Sequence, residues 1–363
     1  MKVVIRADAS LQIGTGHVMR CLTLAEALKE KSTQVEFICR EHESNLIDFI
    51  QDKGFKAHAL SMIENDSEVL KTADRTSENI LNHAHWLGAT QQQDAYECKA
   101  ILKKISPDWL IVDHYAIDEM WQIELQGTYK KLMVIDDLGD RRQLCDLLVD
   151  QNYGSTLDKY QSLVPRHCEI LVGSNYALLR PEFALWRESS LNRRLKPNLK
   201  NILISLGGVD PDNYTEHVLE ALKQSILPKD VLVTVIMGST APHLQSVQQQ
   251  AQTVPYKTEI KVNVSNMAEL MANADLAIGA AGATTWERCC LGLPSIQIVI
   301  AENQKAIAEF LAEKNAIKLI VQLPEISGQL ASSQDWMKDV SQMASLICDG
   351  LGVTKVIKAM IGS

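Results

Sequence analysis

The residues best suited to chemistry fall in two short stretches. In the first, Gly14-Thr15-Gly16 is followed at once by His17. Of the side chains, only His has an unperturbed pKa near neutrality, so an imidazole at this point can take a proton from water or from a hydroxyl. The strand Val3–Arg6 precedes the loop and the helix Val18–Lys31 follows it. Strand, Gly-bearing loop and helix in this order build a ligand site at the carboxyl end of a parallel strand. Unpaired N–H groups at the helix start favour an anion there. The spacing is not the dinucleotide fingerprint, because its third glycine position holds Met19. Arg6 and Arg20 either hold an anion or are surface charges, and a plain loop with a capping histidine stays open as the alternative.

The second stretch runs from Ala280 to Pro294, AAGATTWERCCLGLP. Gly282, Ala283 and Thr284 form a tight loop after the strand Leu276–Gly279, and the helix Thr284–Cys290 starts there with N–H groups free for a diphosphate. A carboxylate at Glu287 suits the two hydroxyls of a ribose, and equally suits a capping box with Thr284. Gly207-Gly208 closes another strand and Gly-loop pair, with Asp210 placed to cap the next helix. Asn303 and Gln304 follow a further strand, where amides suit sugar hydroxyls or N-acetyl groups. Asp8, Asp113, Asp136 and Asp137 end strands on the ligand edge of a sheet, and Asp113 and Tyr115 are placed on the substrate side. His83 and His85 lack the company of further metal ligands, so no metal site and no cofactor is expected. Trp86 and Trp286 read as core aromatics.

These residues need a scaffold, and the hydrophobic pattern supplies one. Strands are expected at Val3–Arg6, Val35–Cys39, Trp109–Asp113, Lys131–Asp136 and Leu147–Asp150, alternating with helices such as Val18–Lys31 and Glu43–Lys53. A second alternation places strands at Asn201–Ser205, Val231–Met237, Glu259–Val264, Leu276–Gly279, Ser295–Ile300 and Ile317–Val321. Such alternation predicts parallel sheets covered by helices, in two Rossmann-like domains. The expected boundaries are 1–180, a linker at 181–200 marked by prolines and a basic patch, 201–328, and a polar then helical extension at 329–363.

Length and composition agree with this. The 363 residues allow two domains, and 46% hydrophobic with 22% charged residues is ordinary for a soluble protein. The net charge of −9 argues against a general nucleic-acid binder, though not against a nucleotide ligand. Eight cysteines without a C-x-x-C pair read as buried reduced thiols of a cytoplasmic protein. The first residues are too polar for a signal peptide, and no apolar run approaches the ~20 residues of a membrane span.

Set in order, the motifs become more specific. Asn266 to Met271, Ala274 to Ile278, the Gly282 loop, Leu293-Pro294 and Glu302-Asn303-Gln304 resemble the nucleotide half of a GT-B glycosyltransferase. Over the N-terminal half, RADAS, IGTGHVMRCLTLAEAL, HWLG, IVDHY, IDDL, LLRPEF and LGGVD occur in sequence. Together they resemble the family of UDP-2,4-diacetamido-2,4,6-trideoxy-β-L-altropyranose hydrolases of pseudaminic acid biosynthesis, across roughly residues 1 to 325. The resemblance implies a GT-B fold with sheets facing an interdomain cleft and a UDP-sugar substrate. It implies attack of water at the anomeric carbon with inversion, His17 as general base and Gly14, Thr15, Gly16 and Arg20 around the reacting centre. It puts the diphosphate on Gly207, Gly208, Gly282, Ala283 and Thr284, ribose on Glu287, uracil on the Met267 backbone and the sugar on Asn303 and Gln304. Rival readings are a transferase of the same fold, a non-catalytic UDP-sugar binder and an epimerase. Other pathway enzymes are possible partners, and the sequence sets no oligomeric state.

Overall fold

The computed structural model describes residues 1–62 and 81–362. Among these, seven strands form one sheet: β1 Lys2–Ala7, β2 Gln34–Arg40, β3 Lys56–Leu60, β4 Trp109–Asp113, β5 Lys131–Ile135, β6 Leu147–Asp150 and β7 Glu169–Val172. A second sheet holds β8 Asn201–Ser205, β9 Leu232–Met237, β10 Lys257–Val262, β11 Leu276–Ala280, β12 Ser295–Ile298 and β13 Lys318–Ile320. Their orders are β3-β2-β1-β4-β5-β6-β7 and β10-β9-β8-β11-β12-β13. Every strand pairing is parallel. Each sheet grows outward one way from its first strand and then the other way from its fourth. This switch point opens a crevice at the carboxyl ends, and it lies between β1 and β4 in one sheet and between β8 and β11 in the other.

Central parallel strands are covered on both faces, so they read as near-continuous apolar runs. β4 is buried at every residue and β1 at all but Lys2. The edge strands β3 and β7, which the hydrophobic pattern did not announce, bury fewer residues and admit His58 and Glu169.

The chain divides into two compact units. One is Met1–Leu178 with the C-terminal helix Gly352–Ile361, and the other is Leu179–Leu351. The stretch expected as a linker is largely a helix, Pro181–Arg193, with Pro181 at its first position where no N–H is needed. Arg194 is buried at its end and donates to the carbonyls of Met271, Ala272 and Ala274. The expected extension is likewise integral. Trp336, Met337 and Val340 belong to the second unit's core, while Val353, Val356, Ile357 and Met360 complete the first. Among the described residues no helix is long and apolar enough to cross a membrane.

Gly352 starts the C-terminal helix where a Cβ would lie 2.2 Å from the Ala177 carbonyl oxygen. Gly352→Ala is therefore expected to destabilise by about 2 kcal/mol through overpacking. The check is the urea unfolding midpoint, and an unchanged value would mean that the helix is not seated there.

Candidate active site

The first loop is built by local hydrogen bonds. Ser10 Oγ accepts from the N–H groups of Gln12 and Ile13, and the Gly14 N–H donates back to the Ser10 carbonyl at 2.9 Å. Gly14 takes φ +76°, a left-handed conformation that glycine adopts without strain. The helix Gly16–Glu30 then starts, and buries Val18, Cys21, Leu22, Ala25 and Leu28 along one stripe. Ser32, in the left-handed region, closes it. His17 thus stands in the first turn, at the carboxyl end of β1.

Across the switch point β4 ends in Asp113, which pairs in register with Ala7 of β1. His17 Nδ1 lies 2.6 Å from Asp113 Oδ1. Arg20, one helical turn on, grips the same carboxylate with Nε at 2.6 Å from Oδ2 and Nη2 at 2.7 Å from Oδ1. Burial alone would push the Asp113 carboxyl up, but the Arg20 charge and then His17 hold it well below the usual carboxylate range. An ionised Asp113 requires the hydrogen of His17 on Nδ1. In that tautomer of the neutral ring Nε2 carries the lone pair, and it has no hydrogen-bond partner among the described residues. Arg20 Nη1 also bonds Asp137 Oδ2 at 2.6 Å, and the Tyr115 hydroxyl donates to that same oxygen at 2.9 Å. Burial and then the Asp137 charge push the Tyr115 phenol well up, so it stays protonated as a donor.

Several residues stand elsewhere than the sequence suggested. Asp113, expected to face substrate, is fully buried with both oxygens committed to His17 and Arg20. Arg6 is neither a surface charge nor free for an anion. It is buried between Asp8 and Asp94 at 2.6 and 2.7 Å. Trp86 is half-buried: it packs against the first unit's core and also borders the site. It stacks on Tyr115 with ring centroids 5.7 Å apart, and it lies T-shaped to His17 with centroids 6.3 Å apart. His83 packs beside both rings, and burial pushes its imidazole below the ordinary value. Asp137 was read only as a strand-end acid, and its grip on Arg20 had no signal in the pattern. His114 turns away from this group: its Nδ1 accepts from the Ala116 N–H, and its Nε2 lies 3.2 Å from Asp8 Oδ2.

In the second unit Gly207, Gly208, Gly282, Ala283 and Thr284 follow β8 and β11, the two strands that flank its own switch point. Gly207 (φ +104°) and Gly208 follow β8, and the Gly208 carbonyl accepts from the Gly238 N–H at 2.9 Å. A Cβ on Gly238 would lie 2.4 Å from that oxygen, so this close approach requires glycine. Asp210 caps the next helix by accepting from the N–H groups of Tyr214 and Thr215. Gly282, Ala283 and Thr284 follow β11, and the Gln304 amide nitrogen lies 3.5 Å from where a Gly282 Cβ would stand. Asn303 shares the helix Glu302–Glu313, and its side chain lies outside the described residues. Met267 opens the helix Met267–Asn273. The capping box between Thr284 and Glu287 does not form, because the helix has no side-chain cap and the Thr284 hydroxyl accepts from Arg288 instead. Glu287 is left partly buried, and its desolvation lifts the carboxyl to about 7 against the nearby charges of Arg180 and Arg288. No group of three His, Cys, Asp or Glu among the described residues is placed to hold a metal ion.

Comparison with solved structures decides the architecture. The structure superposes on that of Acinetobacter baumannii MurG with a TM-score of 0.69, at 16% identity and over 99% of each chain. The fold is GT-B-like. Within this GT-B-like chain, residues 201–333 match the glycosyltransferase family 28 C-terminal domain, which is the unit bearing the Gly282 loop. Over 86% of its length the chain is 29% identical to the UDP-2,4-diacetamido-2,4,6-trideoxy-beta-L-altropyranose hydrolase of Campylobacter jejuni, covering 97% of that protein. It is 28% identical to the spore coat polysaccharide biosynthesis protein SpsG of Bacillus subtilis, over 87% of this chain and 82% of that one. A Methanocaldococcus jannaschii protein is also 28% identical, and there the chain spans 57% of the relative's length.

Proposed function

We propose that this protein hydrolyses a UDP-linked 2,4-diacetamido-2,4,6-trideoxyhexose to the free sugar and UDP, in pseudaminic acid biosynthesis. The observation that carries the reading is the His17 imidazole, oriented by Asp113 through Nδ1 and unpaired at Nε2. The similarity to the Campylobacter hydrolase over 97% of that protein supports it.

Nε2 takes a proton from water as the water oxygen attacks the anomeric carbon. The bond from that carbon to the diphosphate oxygen breaks, its electron pair leaves with UDP, and the configuration inverts. Asp113 stabilises the imidazolium that forms, as a buried carboxylate does for a catalytic histidine. UDP is already a fair leaving group, so the remaining need is to hold the departing charge. The diphosphate lies on the loops Gly207-Gly208 and Gly282-Ala283-Thr284, uracil on the Met267 backbone, and the sugar on Asn303 and Gln304. No step calls for a metal. Incubating the protein with the UDP-sugar in EDTA, and following the anomeric proton and UDP by NMR, tests this. Release of sugar with inverted configuration is the expected result. An intact substrate without acceptor would favour a transferase, the reading that the glycosyltransferase family 28 match at 201–333 supports.

Glu287 holds the ribose hydroxyls in its ionised form. With its carboxyl near 7, UDP affinity rises about tenfold from pH 6 to pH 8 as the acceptor charges, and Glu287→Gln flattens the profile. The opposite sign holds for stability. The raised carboxyl favours the folded state below its unfolded value, and this contribution is lost as pH rises towards 7. Calorimetric titration across that range separates the two effects.

A further inference from the structure

Arg288 is the buried charge that nothing above uses. It is 1% exposed, beneath the loop that joins β11 to the helix Thr284–Cys290. Its Nη2 donates to the Ala280 carbonyl at 2.6 Å and to Thr285 Oγ1 at 3.1 Å, and Nη1 donates to Thr284 Oγ1 at 3.1 Å. Nε has no partner among the described residues. The space is reserved for it, since a Cβ on Gly279 would lie 2.6 Å from Nη1.

What sets Arg288 apart is that no carboxylate contacts its guanidinium among the described residues, the neighbouring Glu287 acting on it only at longer range. The buried arginines of the first unit, Arg6, Arg40 and Arg141, each meet a carboxylate within 3.0 Å. Arg194 has none, but it sits at the C-terminal end of the helix Met267–Asn273, where carbonyls and the helix dipole offset it. Arg288 forms no ion pair among the described residues, and its guanidinium reaches back to Thr284, the positive end of its own helix. A charge taken out of water is retained only when something repays the desolvation. Burial lowers the guanidinium to about 10, which still leaves it charged at neutral pH.

We propose that Arg288 is a positioning residue for the diphosphate: its guanidinium, fixed under Ala280–Thr284, supplies the positive field that a nucleoside diphosphate on that loop completes. This rests on the UDP-sugar reading above. The field acts on phosphate charge and not on the nucleoside, so Arg288 discriminates ligands by their charge.

The test is calorimetric titration of the full chain with uridine, UMP and UDP. Arg288→Met is expected to weaken UDP about tenfold, UMP less, and uridine hardly at all. Arg288→Lys, which keeps the charge, is expected to restore most of the preference for UDP. Should the Met variant fail to fold, Arg288→Gln removes the charge while retaining a donor for the Ala280 carbonyl, and carries the same expectation. Equal losses for all three ligands, or an unchanged UDP affinity, would overturn the proposal and reduce Arg288 to a loop brace. If the unaltered protein binds UDP no better than uridine, the diphosphate reading itself falls, and Arg288 with it.

Discussion

His17→Asn is expected to lower kcat by about 10²–10⁴-fold, the usual contribution of a positioned general base. Asparagine still offers its amide to Asp113 but has no lone pair of suitable basicity to accept from water. The variant should keep its fold, because the imidazole sits in the first turn of its helix and leaves the stripe from Val18 to Leu28 intact. UDP affinity should also be unchanged, since the residues assigned to UDP lie in the other unit. Steady-state rates with circular dichroism and UDP titration check all three. Near-wild-type turnover in a folded variant would mean that His17 is not the base.

Asp113→Asn is expected to cost kcat nearly as much. An amide presents a donor to Nδ1, so the imidazole takes the other tautomer and carries its hydrogen on Nε2, where the lone pair is needed. The same exchange in the serine-protease triad costs about 10⁴-fold. If His17 and Asp113 act as one unit, the double variant will be no slower than His17→Asn alone, because effects within a unit do not add. Independent losses in the double variant would instead make Asp113 a structural residue. Stability supplies a second readout. Arg20 and His17 hold the Asp113 carboxyl below its unfolded value, so its contribution is full above about pH 4 and lost as pH falls. The variant should therefore lose part of the acid dependence of unfolding that the unaltered chain shows.

Much of this was legible in the residues, and the illegible parts have physical reasons. Interior parallel strands declare themselves as apolar runs, and Trp109–Asp113, Leu147–Asp150 and Asn201–Ser205 fall where the pattern places them. Edge strands need no such run, so β3 and β7 left no mark, whereas the edge strands β10 and β13 of the second sheet, with apolar residues of their own, overlap the expected Glu259–Val264 and Ile317–Val321. Prolines and arginines at 181–200 read as a connection, because the pattern shows neither the free first-turn position that Pro181 fills nor the carbonyls that receive Arg194. His17 stood out by type and place. The hold on it did not, because Arg20 reaches Asp113 and Asp137 across 93 and 117 residues of chain. Trp86 was half legible for a related reason: its apolar ring marks it for the core it packs against, but what lies beside its other side depends on what the fold brings there.

The helix Gly352–Ile361 also bears on how the protein is made. Val353, Val356, Ile357 and Met360 belong to the first unit's core, their helix lying against the helix Gly16–Glu30 and β6, yet all of Leu179–Leu351 is synthesised before them. During translation the amino-terminal core waits open while the second unit already has every residue that it requires. The amino-terminal unit is thus the first to be begun and the later to be supplied in full, because its core lacks Val353 to Met360 until all of Leu179–Leu351 has been made.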